Sequence, residues 1–343
     1  MEDAKMIVVT GANGFIGSRV VRQLLRQGER VRCFIRRETN LINLEEDGAR
    51  YEVEMVCGDV RDYSSVRNAV KDARAVYHMA AYAHLWYPDV KAVYDINWKG
   101  SKNVFQACLE EGVEKVVYTN TAAIMKGGTK KDPGNEDSGG LGLRDMPGHY
   151  TRSKFLAFQQ AVNYSKNGLP VTIVSPTTPV GDGDFKPTPP GKMIIDYLNG
   201  KLPAYIGTVL NYIDVDDVAA GHISAEKTGR KGERYILGAH NLTLEELFAM
   251  LEKITGIPAP RVKLPVAPLL PLGFICGMIS ENITHTEPPV PWEGLRLAAK
   301  PFAFDSSKAV RELGLPQGDI ETALRKAVDW FRSKGYVNTG GRR

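Results

Sequence analysis

Long apolar runs are scarce in this chain. The most apolar stretch, Val266–Ile279 (VAPLLPLGFICGMI), covers 14 residues and is interrupted by two prolines and two glycines. It is too short and too broken to span a bilayer. It reads either as a buried or substrate-lining helix, or as an apolar lip for an apolar substrate or for peripheral membrane contact. Cysteine is sparse too. Cys33, Cys57, Cys108 and Cys276 have neither paired nor metal-type spacing, which argues against a disulfide framework or a metal centre and fits free thiols in a reducing cytoplasm. Charge of one sign is also missing. A net +4 over 343 residues, with no basic stripe carrying interleaved aromatics, gives no case for nucleic acid. There is no internal repeat or low-complexity tract. The polar start Met1–Lys5 runs straight into a strand and does not read as an export signal. The remainder, 43% apolar and 24% charged, is ordinary globular material with enough length for one large or two small domains.

Strand and helix signals alternate. Met6–Thr10, Val31–Ile35, Tyr51–Cys57, Ala75–Met79, Lys115–Thr119 and Val171–Ser175 read as strands. Ser18–Gln27, Lys99–Glu111 and Tyr150–Ser165 read as helices between them. This order predicts an α/β fold, a Rossmann-type doubly wound parallel sheet with ligand at the carboxyl ends of its strands. After Pro176 prolines cluster and the alternation lapses. The expected division is a dinucleotide-binding domain over residues 1–181, to which 212–237 and about 301–310 return. Residues 182–211 and 238–300 form a smaller C-terminal substrate-capping region, 311–336 C-terminal helices and 337–343 a disordered tail. Tyr212–Val215 and Arg234–Leu237 look like strands rejoining the main sheet, and Thr243–Glu246 is a capping box.

Gly11, Asn13, Gly14, Phe15, Ile16 and Gly17 lie between the first strand and the first helix. Glycines there let a backbone approach a pyrophosphate, whose charge meets the helix N-terminus. The G-x-x-G-x-x-G triplet is weak evidence alone, since tight turns produce it, but the strand–turn–helix context favours a dinucleotide. An acidic residue gripping a ribose 2′-hydroxyl is missing from the end of the second strand. Arg36 and Arg37 stand there instead and suit a 2′-phosphate through forked hydrogen bonds. Arg19 is a further candidate, and NADP(H) is the expected cofactor. Asp59 is placed to bind adenine or to cap a turn. His78, inside a strand pattern, reads as structural.

Tyr150 and Lys154 are four residues apart, one helical face. There an ammonium can stabilise a phenolate and make the phenol a better acid. The spacing is not rare: Tyr87/Lys91 and Tyr197/Lys201 share it. Only Tyr150 opens a long helix beyond the fifth strand. Thr121, just past that strand, either donates to a developing oxyanion or caps the strand end. Asn97 either anchors a water linking Lys154 to solvent or caps the helix near Lys99. His84, Trp86, Tyr87, Phe185 and Lys186 are substrate-pocket candidates, with apolar packing the alternative for the aromatics.

These motifs together (GANGFIG, Gly58-Asp59, HMAA at 78–81, Thr121, YTRSK at 150–154, FDSSKA at 304–309) resemble the extended short-chain dehydrogenase/reductases over almost the whole chain. Thr121 stands where that family more often has serine. Ser175-Pro-Thr-Thr-Pro-Val-Gly181 is similar to a loop of dihydroflavonol reductase-like members. Leu85-Trp86, Gly148-His-Tyr150 and Val215–His222 look like the bacterial proteins called hopanoid-associated sugar epimerases. The resemblance implies that Asp59, Val60, Ala80, Ala81, Pro176, Thr177 and Thr178 line the cofactor, that Lys154 also holds the nicotinamide ribose, and that the chain forms a homodimer. The expected function is an NADPH-dependent reductase, or reverse dehydrogenase, of a carbonyl or alcohol substrate. Thr121, Tyr150 and Lys154 would be the catalytic residues, and the substrate an apolar hopanoid- or flavonoid-like small molecule. The alternatives are an NAD(P)-dependent sugar epimerase or dehydratase and a non-catalytic NADP-binding sensor.

Overall fold

The computed structural model describes residues 5–45, 53–288 and 291–337. Seven parallel strands form the central sheet in the order β10-β6-β5-β4-β1-β2-β3. They are β1 (Met6–Thr10), β2 (Val31–Ile35), β3 (Glu54–Cys57), β4 (Ala73–His78), β5 (Lys115–Thr119), β6 (Val171–Pro176) and β10 (Arg234–Leu237). The chain winds outward from β1 to β3, then crosses back and winds the other way from β4. The carboxyl ends of β1 and β4 therefore flank the crevice where the order reverses, the usual ligand position in such sheets.

Helices cover both faces, because strands buried on two sides have no solvent-facing row. On β1, Ile7 and Val9 pack into one layer and Val8 into the other. The first layer holds α1 (Phe15–Arg26), α8 (Val215–Lys227) and α12 (Ser307–Leu313). The second holds α3 (Tyr63–Val70), α5 (Ser101–Glu110) and α6 (His149–Lys166). The short α2 (Ile42–Glu45) follows β2. Helix α4 (Val90–Tyr94) runs into α5 through a π-helical turn, Asp95–Gly100. The helix expected from Lys99 thus begins at Val90, where Asp89 accepts the Ala92 N–H at 3.1 Å.

A second sheet, order β11-β9-β7, joins β7 (Thr178–Val180), β9 (Val209–Asp214) and β11 (His240–Thr243). The expectation that Tyr212–Val215 rejoins the main sheet is corrected by this pairing. The edge beyond β6 is taken by β10, so β9 pairs instead with β7, the continuation of β6, and Val215 opens α8. A core formed with α7 (Pro189–Leu198), α9 (Leu244–Thr255) and α13 (Ile320–Ser333) packs against this sheet. The Thr243/Glu246 capping box opens α9. The strands β8 (Ala204–Ile206) and β12 (Val262–Leu264) form a two-stranded pair.

The apolar segment becomes α10 (Leu269–Ile279), followed after a π turn by α11 (Trp292–Ala298). The buried-helix reading is corrected. Only Gly273 and Gly277 of α10 are buried, while Leu272, Phe274, Ile275 and Met278 are 57, 50, 53 and 51% exposed. The two glycines let α10 approach α11 closely: a Cβ at Gly273 would lie 2.1 Å from a Leu295 methyl. Among the described residues no helix is long and apolar enough to cross a membrane. The expected third strand loses Tyr51 and Glu52, and the expected disordered tail loses 338–343, to the part of the chain outside the described residues.

Candidate active site

The glycine turn is dictated first by backbone contact. Gly11 has φ +70°, and a Cβ on it would lie 2.9 Å from the Ala80 backbone across the crevice. A Cβ on Gly17 would lie 2.2 Å from the Gly11 carbonyl oxygen. Gly14 is different: its nearest obstacle is the Gly11 carbonyl oxygen at 3.1 Å, and no side chain caps the helix it opens. The N-terminus of α1, with Phe15, Ile16 and Gly17 in its first turn, therefore presents uncapped amides, which suit a phosphate. Asn13 donates to Thr39 Oγ1 (2.8 Å) and to the Asn40 carbonyl (3.2 Å), pinning the loop after β2 beside the turn. Arg36 and Arg37 are exposed on that loop.

Arg19 is not available to a cofactor. Its buried guanidinium meets the Asp182 carboxylate at 2.5 Å and the Asp182 carbonyl at 2.6 Å, which ties α1 to the loop beyond β7. That corrects its candidacy for a 2′-phosphate: the guanidinium is already engaged by Asp182. Asp59 is held below the usual carboxylate range chiefly by its hydrogen bond to Arg61, whose Nε and Nη2 donate at 3.0 and 2.8 Å. Val60 is buried and packs where a Cβ on Gly100 would sit. Ala80 donates its N–H to Thr10 Oγ1 at 3.1 Å, and Ala81 is exposed. At the end of β6, Pro176 is buried. Thr177 Oγ1 is committed to Asn211 Oδ1 at 2.8 Å, and Thr178 begins β7. Asp59, Val60, Ala80, Ala81, Pro176, Thr177 and Thr178 all lie at or just beyond the carboxyl ends of central-sheet strands.

His78 is fully buried and belongs to a polar chain. Ser101 Oγ donates to the Asn97 carbonyl at 2.6 Å, so it accepts from His78 Nε2 at 2.9 Å. His78 Nδ1 then accepts from Thr10 Oγ1 at 2.9 Å. Burial, followed by the Lys154 charge, pushes the imidazole down to about 3, so it is neutral and structural. Asn97 lies inside the π turn, mid-helix, which removes the helix-cap reading. Its amide nitrogen donates to Ser153 Oγ at 2.9 Å and to the Tyr82 carbonyl at 3.1 Å, while Oδ1 accepts the Tyr82 N–H at 2.7 Å. The carboxamide thus ties the loop after β4 to α6.

Thr121, Tyr150 and Lys154 converge beyond β5. Thr121 Oγ1 accepts the Ala123 N–H at 3.1 Å, which leaves its hydroxyl proton to donate. Burial pushes the Tyr150 phenol up to about 12, with the neighbouring Thr121 hydroxyl opposing the rise and Glu293 adding to it. Lys154 Nζ donates to the Thr119 carbonyl at 2.8 Å, stands 5.0 Å from the centre of the Tyr118 ring and is 3% exposed. Burial pulls it down to about 7.

The pocket candidates split. Burial lowers the pKa of His84, with Glu287 raising it and Lys186 lowering it further. The Lys186 ammonium lies 5.7 Å from the Phe185 ring centre, and Phe185 packs against the core of the smaller sheet. Trp86 is half-buried, and its carbonyl accepts from Tyr82 Oη at 3.4 Å. Tyr87 is tied up elsewhere: its hydroxyl donates to Glu293 at 2.6 Å and accepts the His149 N–H at 3.1 Å. Sequence reasoning missed Glu293 and Arg61. The one local clue to Glu293 is Gly148, a glycine where α6 needs a capping side chain. Among the described residues no cluster of three or more His, Cys, Asp or Glu could hold a metal.

A reversed parallel sheet with an uncapped glycine turn at its crossover defines a Rossmann-type, nucleotide-dependent enzyme of oxidoreductase type. The chain belongs to the NAD dependent epimerase/dehydratase family, whose model matches residues 7–238. Within it the chain is an extended short-chain dehydrogenase/reductase of the dihydroflavonol reductase-like kind. It is 38% identical to a Synechocystis protein named "Putative dihydroflavonol 4-reductase", over 98% of this chain and 97% of that one. It is 30% identical to "Sterol demethylase protein B" of Methylococcus capsulatus, over 96% and 99%. The solved structure of gox2253 matches at 36% identity and a TM-score of 0.85, covering 97% of this chain and all of that one. PA4631, described as a nucleoside-diphosphate-sugar epimerase from Pseudomonas aeruginosa, matches at 26% and 0.80, covering 98% and 100%.

The lowered lysine pKa has a measurable consequence. Between about 7 and the ordinary 10.5 an unfolded Lys154 holds a proton that the folded one has released, so stability rises with pH across that window. Relative to Lys154→Met, the wild type should gain on the order of 4 kcal/mol between pH 6 and pH 10.5 at 1.36 kcal/mol per unit. Urea midpoints at the two pH values read this. A difference independent of pH would show that Lys154 is not depressed.

Proposed function

We propose that this chain is an NADPH-dependent reductase of a carbonyl compound, or in reverse a dehydrogenase of the alcohol. The observation that carries the reading is the meeting of Thr121, Tyr150 and Lys154 beyond β5. The dinucleotide, when bound, exchanges hydride with the substrate carbon. Tyr150, protonated throughout the neutral range, gives its proton to the carbonyl oxygen. Thr121, oriented by the Ala123 amide, donates to the same oxygen as charge develops there. Lys154, fixed on the Thr119 carbonyl, stabilises the tyrosinate left behind. Tyr150→Phe should lower turnover by about 10²–10⁴-fold, followed as NADPH oxidation with a panel of ketones and aldehydes. Near-normal turnover in that variant would remove Tyr150 from the chemistry.

Preference for NADPH is supported by Arg36 and Arg37, exposed at the end of β2 with no carboxylate before Glu38. Arg36→Ala combined with Arg37→Ala should raise KM for NADPH at least about tenfold, the loss of a charge-assisted pair, and leave that for NADH nearly unchanged. Equal or better use of NADH by the wild type would overturn the preference.

An apolar substrate, met at a lipid surface, is supported by α10 and by the sterol and dihydroflavonol names of relatives. No acidic residue lies between Arg261 and Ser280, and Arg261 and Lys263 are exposed beside it. The helix is about 16 Å long at 1.5 Å per residue, suited to lying in a membrane interface. The protein should sediment with vesicles of phosphatidylcholine and phosphatidylglycerol, and Phe274→Ser with Ile275→Ser should cut binding at least about tenfold, given ~25 cal/mol per Å² of apolar surface. Failure of the wild type to sediment at low salt would remove membrane contact. A sugar epimerase or dehydratase is the second reading, favoured by the likeness to PA4631. Cofactor that copurifies with the protein, with no net NADPH consumption, would support it.

A further inference from the structure

Helix α6 begins without a cap of its own. Its N-cap is Gly148, in extended backbone with φ −157°, so no local side chain can accept the amides of the first turn. Glu293, from α11 and more than 140 residues away in sequence, takes that place. One carboxylate oxygen accepts the Thr151 N–H at 2.9 Å and the Thr151 hydroxyl at 2.7 Å. The other accepts the Tyr150 N–H at 3.2 Å and the Tyr87 hydroxyl at 2.6 Å. Glu293 is 3% exposed. A buried carboxylate is costly unless it is paired or fully hydrogen-bonded; here four donors and the positive end of a helix stabilise it.

The sequence has made room for it. A Cβ on Gly148 would lie 2.2 Å from Glu293 Oε2 and 2.6 Å from its Cγ. The rest of α11 holds the approach to the same helix: Arg296 donates to the Pro147 carbonyl, and Lys300, just beyond, donates to the Asp145 carbonyl at 2.9 Å. Two amides normally satisfied within a few residues are instead satisfied by another part of the molecule, and one belongs to Tyr150.

We propose that Glu293 is a positioning residue for Tyr150: a carboxylate supplied from the smaller region that caps the N-terminus of α6 and so makes placement of the phenol depend on the docking of α11. Tyr150 sits in the first turn, where an uncapped helix frays. Movement of that turn would carry the phenol away from Thr121 while leaving the glycine turn and the dinucleotide crevice unaltered.

This inference rests on the proposed role of Tyr150 for its kinetic consequence but not for the cap itself, and the experiment separates the two. Amide hydrogen exchange at Tyr150 and Thr151, compared in wild type and Glu293→Ala, reads the cap with no substrate. Protection at these two amides should fall at least about tenfold, in line with the loss of an N-cap, with little change in the central sheet. With the carbonyl substrate, Glu293→Ala should lower kcat by about tenfold or more with KM for NADPH unchanged. The decisive variant is a local replacement. Gly148→Asp alone should be impaired, because its Cβ collides with Glu293. Gly148→Asp combined with Glu293→Ala should recover both amide protection and most of kcat, since the new carboxylate accepts the same N–H groups from the N-cap position. Should Glu293→Ala fail to fold, Glu293→Gln, which keeps the shape and loses half the acceptors, should show the same losses in smaller measure. Unchanged protection in folded Glu293→Ala or Glu293→Gln overturns the cap. Lost protection with unchanged kcat overturns the positioning role. A double variant no better than the worse single overturns the assignment of that role to capping.

Discussion

One continuous polar chain holds the parts of this molecule in register. Thr10 at the end of β1 accepts the Met79 and Ala80 amides across the sheet crevice and donates to His78. His78 donates to Ser101, Ser101 to the Asn97 carbonyl, and Asn97 to Ser153 on α6. Every member is buried and partnered, the condition under which such a network rigidifies a structure rather than weakening it. It runs from the strand that leads into the glycine turn to the helix that carries Tyr150 and Lys154. The distance between the glycine turn and Tyr150 is therefore set by hydrogen bonds, not by loop length.

That arrangement explains why buried titratable groups can be tolerated beside the crevice. Lys154 is removed from water and keeps a carbonyl and an aromatic face. Its charge is expensive, and its pKa falls. Tyr150 is pushed the other way by the same burial. The one burial thus drives the two pKa values apart, the phenol up to about 12 and the ammonium down to about 7, the separation found where neighbouring groups take different acid–base roles. The π turn at Asp95–Gly100 is part of the same construction. It places Asn97 in the helix interior, where its side chain can reach both the Tyr82 backbone and Ser153.

Much of the fold was legible because its strands and helices obey local rules. Ile7, Val8 and Val9 are apolar on both faces, as a doubly covered strand must be, and Thr243 with Glu246 writes a helix start into four residues. The long Tyr150 helix was legible, whereas its cap was not. Asp89 was overlooked as a cap, which moved a helix start from Lys99 to Val90. The apolar 266–279 segment was ambiguous because periodicity reports which residues are apolar, not whether anything packs on them.

The sequence by itself determined the order of elements, the glycine turn and the spacing of Tyr150 and Lys154, since each depends on residues within a helical turn or a strand's length. Tertiary structure decided which charged groups are free. Arg19 and Asp59 looked alike as open ligands for a nucleotide, yet Arg19 is spent on Asp182 and Asp59 carries Arg61. It also decided that Glu293, unremarkable in its own neighbourhood, caps the helix that begins at His149. Such pairings are fixed by which surfaces the fold brings within about 3 Å, the reach of a hydrogen bond, and no local pattern encodes them.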